Sequence, residues 1–81
     1  MKENYDNSLE ERLKEMYKTA GEELADEIRY GVFEGDDYTA VNWYNSENIA
    51  LGDKSPKESL KDGNYFQVEK VLNGIKNFII S

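Results

Sequence analysis

Apolar residues recur at Leu9, Leu13, Met16, Tyr17, Ala20, Leu24 and Ile28, in steps of three and four that line one helical face. Glu10, Glu11, Lys14, Glu15 and Lys18 fall mostly on the other face. Ser8 and Glu11 have the spacing of a capping box, so a helix is expected to start at Ser8, leaving residues 1–7 as a frayed polar leader. Gly21 interrupts the run at a cost of about 1 kcal/mol relative to Ala, which predicts a kink or a break into two shorter helices.

The period fails over Gly31–Asp37, where GVFEGDD reads as a turn anchored by Val32 and Phe33. Asp36 or Asp37 can cap a short helix over 37–45, with Ala40, Trp43 and Tyr44 facing inward. Asn45-Ser46-Glu47-Asn48 ends it. Ile49, Ala50 and Leu51 are expected to return to the core, with Gly52 allowing a positive φ. Ser55-Pro56-Lys57-Glu58 is a second capping box, with Pro at the first helical position, where its missing N–H costs nothing. Leu60 anchors this brief helix and Asp62-Gly63 closes it with a left-handed cap. Asn64 precedes a last helix whose inner face carries Val68, Val71, Leu72, Ile75 and Phe78 or Ile79. A strand competes only at Phe78-Ile79-Ile80.

The pattern predicts one all-α domain over 1–81: a small bundle of four to five helices with one long amphipathic N-terminal helix, two short helices and a C-terminal helix. Trp43, Leu51, Leu60, Val68, Leu72 and Ile75 are its expected core. A chain of this size buries about 60–65 % of its unfolded surface, which leaves little room for an elaborate buried catalytic site.

Seventeen acids against ten bases give a formal charge of −7. Phosphate backbones and anionic membrane surfaces repel such a chain, so nucleic-acid and membrane partners are not expected. No segment has the length of a signal peptide core or a membrane span, and cysteine is absent; both fit a cytoplasmic protein.

Without histidine or cysteine, the commonest general base and the usual zinc ligands are missing, and no cofactor or metal is expected. Glu34, Asp36 and Asp37 cluster around Gly35 but lack the spacing of a calcium loop, so they read as turn and cap. No phosphate loop and no nucleophile–base pair is visible, so no catalytic residue is assigned. Trp43 suits a core better than a binding hot spot. The end of the chain differs: one helix face cannot bury all of Phe78, Ile79 and Ile80, which suggests a contact surface there.

Ala40-x-x-Trp43, Asn48-x-x-Leu51-Gly52, Ser55-Pro56, Leu60, a Gly63 turn and Val68…Val71-Leu72…Ile75 together resemble the toxin-binding domain of Xre/MbcA/ParS-type antitoxins. The likeness covers residues 38–76. That family shows Leu-Gly-Gly where this chain has Leu51-Gly52-Asp53, and a glycine where it has Phe78. Many members also carry a helix-turn-helix domain. Residues 1–30 supply acidic helix instead, so DNA binding is not carried over.

The resemblance implies an antitoxin whose partner is an NAD-consuming toxin, either a RES-domain or an ADP-ribosyltransferase-like enzyme. It acts by covering the substrate cleft, often with its C-terminal segment. Lys76, Asn77, Phe78, Ile79, Ile80 and Ser81 are therefore the expected partner contacts. Two other readings compete. One is a non-catalytic regulatory or structural homo-oligomer, such as a homodimer formed through helix 9–30. The other is a hydrolase with two inward carboxylates.

Overall fold

The computed structural model describes the backbone of residues 2–80 and the side chains of residues 8–77. Helix α1 spans Lys2–Ala20. Ser8 lies inside it rather than at its start, which corrects the expected capping box. Nothing between Lys2 and Asn7 stops a helix, as no Gly or Pro occurs there. Gly21 is a true break. Its φ of 91° is accessible to glycine and not to the helix, and α2, Glu22–Asp26, begins on its far side.

Helix α2 runs without pause into a π-helical segment, Glu27–Val32. The Phe33 N–H reaches back five residues to the Ile28 carbonyl at 3.2 Å. Gly31 and Val32 are therefore helical, and the expected Gly31–Asp37 turn shrinks to the residues just before Asp36. Burial of both Ile28 and Val32 accompanies this extension. So does a two-pronged ion pair in which Arg29 Nε and Nη2 donate to Asp37 at 2.6 and 3.0 Å.

Helix α3, Asp37–Asn45, is capped by Asp36, whose carboxylate accepts from the Thr39 N–H at 3.2 Å and hydroxyl at 2.8 Å. A 3-10 turn, Ile49–Leu51, leads to α4, Pro56–Lys61, and then α5, Tyr65–Ile80. The result is a compact all-α globule, with no strand among the described residues.

The core gathers Met16, Ala20, Leu24, Ala25 and Ile28 from the N-terminal half with Ala40, Tyr44, Leu51, Val68 and Leu72. Each large aliphatic side chain fully removed from water contributes about 1.5–3 kcal/mol. Trp43, Leu60 and Ile75, expected inside, are half-buried and pack against its margin. Tyr44 is buried with its hydroxyl against that of Thr19, and burial pushes its phenol pKa up. Met16, Ala20, Leu24 and Ile28 of the predicted stripe pack into the chain's own core, and Leu13 and Tyr17 are partly buried against it. Lys57 of α4 donates to Glu15 of α1 at 2.6 Å, tying the two ends of the bundle.

Candidate partner-binding groove

The corner after α3 closes on a single residue. The Asn48 carbonyl accepts from Leu51 at 2.9 Å and Asp53 at 3.0 Å, and its N–H donates to the Lys54 carbonyl at 3.0 Å. Its side-chain oxygen caps the 3-10 turn through the Ala50 N–H at 2.9 Å. This closure needs two successive left-handed residues, Gly52 at φ 71° and Asp53 at φ 65°. It turns Leu51 inward and its neighbours outward. Ile49 is 88 % exposed and Ala50 is exposed, so two of the three residues expected to return to the core do not.

The capping box at Ser55 is present as expected. Ser55 Oγ accepts from the Glu58 N–H at 3.0 Å, and Glu58 Oε1 accepts from the Ser55 N–H at 3.1 Å. Helix α4 ends in a Schellman pair, with Asn64 N–H on the Ser59 carbonyl at 2.8 Å and Gly63 N–H on the Leu60 carbonyl at 3.0 Å. Gly63 takes the required φ of 86°. That reversal lays α5 beside the Asn48 corner.

Between them lies an open groove of about 560 Å³, lined by Ala50, Gln67, Lys70, Val71, Gly74 and Ile75. Val71 and Ile75 are half-buried at its base. Among the described residues Lys70 is the one charged residue on its walls, and no carboxylate of theirs lines it. Phe66, one turn before Lys70, is 76 % exposed. Such a surface can bind through apolar contact and one cation. It holds no nucleophile–base pair.

None of the expected contact residues from Lys76 onward is among the residues that line this groove. Lys76 is half-buried on another side of α5, its Nζ 4.0 Å from Glu27 Oε2. Asn77 is exposed and takes part in an interaction of its own. Phe78, Ile79 and Ile80 continue the α5 backbone. Their side chains, and Ser81 entirely, lie outside the described residues. The groove was missed because Ala50 and Val71 both read as core from their apolar neighbours. Gly74, unexplained within a helical run, was the available signal.

The acidic turn does what its spacing suggested. Asp36 caps α3, Asp37 holds Arg29, and Glu34 takes a left-handed turn position at φ 54°. The Asp37 carboxylate, helped by Tyr17, keeps the Arg29 guanidinium charged beyond its usual range. Among the described residues no group of His, Cys, Asp or Glu is placed to hold a metal ion, and no helix is long and apolar enough to cross a membrane. Trp43 packs on Phe33 with ring centroids 5.9 Å apart, and its Nε1 is buried without a partner among the described residues.

A second cleft of about 220 Å³ lies between α1 and α3, lined by Ser8, Leu9, Arg12, Tyr38, Val41 and Asn42. No carboxylate, His or Cys is among these residues; Ser8 also lines a surface cleft on α1 with Glu11 and Glu15.

Comparison with protein-family models, with curated proteins and with solved structures finds no match to the chain.

Proposed function

We propose that the chain is a protein-binding module of antitoxin type, which covers the active-site cleft of a cognate NAD-consuming toxin and needs no catalysis of its own. The observation that carries this reading is the exposed apolar groove along α5, bounded by the Asn48 corner. Exposed, concave apolar surface of this kind is the usual ground of protein recognition.

The corner also supports the likeness to antitoxins at the residue level. The family's Leu-Gly-Gly falls on Leu51, Gly52 and Asp53, and the second and third of these are the two left-handed positions. A glycine pair would suit that backbone, since both positions are left-handed. The formal charge of −7 favours a basic or amphipathic protein partner over nucleic acid.

The test is co-expression with the product of the adjacent reading frame, reading intracellular NAD and growth. Loss of NAD with that product alone, restored by the chain, is expected. Gly74→Gln, which fills the groove, is expected to restore less. A neighbouring product that leaves NAD unchanged removes the antitoxin reading. Full protection by the Gly74→Gln variant removes the groove from it.

A further inference from the structure

We infer that the groove between the Asn48 corner and α5 receives an amphipathic helix of the partner, seated against Gly74 and carrying a carboxylate opposite Lys70. The inference rests on the protein-binding reading above and names the shape and charge of what is bound.

The first ground is backbone supply. An extended peptide binds by adding hydrogen bonds to a free sheet edge. Neither wall offers one. The backbone groups of α5 are spent inside the helix along the groove, and in the corner the N–H groups of Ala50, Leu51 and Asp53 go to Asn48 and that of Gly52 to the Ile49 carbonyl. A helix fills an apolar groove by side-chain packing alone, with anchors at steps of three and four.

Gly74 is the second ground. A glycine in a helix interior is unfavourable relative to alanine. The fold has no use for this one: its φ is not in the left-handed region, and an added Cβ finds nothing within 4 Å. The missing side chain leaves open space at the groove's centre, where a second helix axis can come close.

Charge is the third. The chain is acidic overall, yet among the described residues the only charged one lining the groove is Lys70. Among the described residues its ammonium makes no ion pair. A bound carboxylate pairs with it; a bound cation does not. Local and overall charge thus select opposite peptides, which makes the point testable.

Two model helices of about 18 residues, long enough to be partly helical alone, provide the probe. Both carry Leu at steps of three and four on an Ala background. One is flanked by Glu and the other by Lys. Each is titrated into the full chain at low salt, with backbone amide shifts as the readout. Both are expected to move the amides of Ala50, Val71, Gly74 and Ile75. Lys70→Glu should change the ratio of the two Kd values by about fivefold to tenfold toward the Lys peptide. Lys18→Glu changes net charge equally from an exposed site on α1, and should leave the ratio within about twofold, since screening blunts distant charge. Gly74→Gln should weaken both peptides while keeping the fold.

An equal effect of the two charge reversals, or shifts centred away from the groove, overturns the inference. So do groove shifts that appear on concentrating the chain alone, which would make a second copy the occupant. The NAD assay does not depend on these peptides, so either result can fail while the other stands.

Discussion

Replacing Asp53 with glycine should make the protein more stable. Asp53 sits at φ 65°, directly after Gly52 at φ 71°. A left-handed backbone costs a non-glycine residue about 1–2 kcal/mol, less for Asp than for most. Glycine removes that cost but gains freedom in the unfolded chain, worth about 0.4–1 kcal/mol in the opposite direction. With Asp at the low end of that cost, the difference favours the variant by roughly 0.5 kcal/mol. Nothing else is lost. The bond from the residue 53 N–H to the Asn48 carbonyl belongs to the backbone, and no hydrogen bond or ion pair of the Asp53 carboxylate occurs among the described residues. A domain of this size responds with a rise in Tm of roughly 2–4 °C. Urea denaturation followed by Trp43 fluorescence should show a higher midpoint at unchanged slope. Asp53→Ala is the control. It keeps the left-handed cost without the local tolerance of Asp, and should lower the midpoint. A midpoint that falls or stays put in Asp53→Gly would refute the assignment of strain to this residue.

Three further changes test other joints of the fold. Ser55→Ala removes the acceptor of the Glu58 N–H at a buried site and should cost about 1 kcal/mol in urea denaturation. Asp37→Asn breaks the two-pronged pair with Arg29, whose partners are each about a quarter exposed; it should cost roughly 0.5–1 kcal/mol at low salt and less in 1 M salt, with loss of no more than a few tenths pointing to a merely superficial contact. Asp36 has its carboxyl held below the usual range by the Thr39 hydroxyl first and the Thr39 N–H second. Its contribution is therefore present above the unfolded Asp pKa, about 3.9, and fades as pH falls through the lower folded value. Asp36→Ala should flatten that acid limb; a limb unchanged in slope would assign it to other carboxylates.

The parts of the fold legible in the sequence are those decided within a short stretch of chain. The Asp36 cap, the Ser55–Glu58 box and the Gly63 reversal each rest on a side chain or backbone geometry that reaches five residues or fewer. The helical period likewise found Met16, Ala20, Leu24 and Ile28, because a long stripe must face something apolar. Where distant residues decide, the pattern misled. Ser8 and Glu11 have box spacing, but a motif does not start a helix when the residues before it can continue it. Gly31 and Val32 looked like turn residues, yet burial of Val32 and the hold of Asp37 on Arg29 accompany continued helix there. Ile49 and Ala50 read as core from composition, and closure on Asn48 turned them out. Apart from Gly74, nothing in the sequence points to the groove, since Ala50 and α5 meet only after the Gly63 reversal brings them together.

That meeting place carries two unfavourable choices. Asp53, in the corner that forms one wall, holds a conformation better suited to glycine. Gly74, in the other wall, is a glycine where the helix favours almost anything else. Local propensity and fold disagree at both, and functional sites are where such disagreements are expected. Strain alone does not mark the place. Glu34 is also left-handed, at φ 54°, and does not line the groove. What distinguishes the groove is that its costs coincide with exposed apolar surface and a lone cation in an acidic chain. The two substitutions then separate the causes. Asp53→Gly relieves a backbone cost and leaves the groove open, so it should raise stability and spare binding. Gly74→Gln relieves a helical cost and closes the groove, so it should raise stability and lose binding. A site set only by the needs of folding predicts the same binding from both.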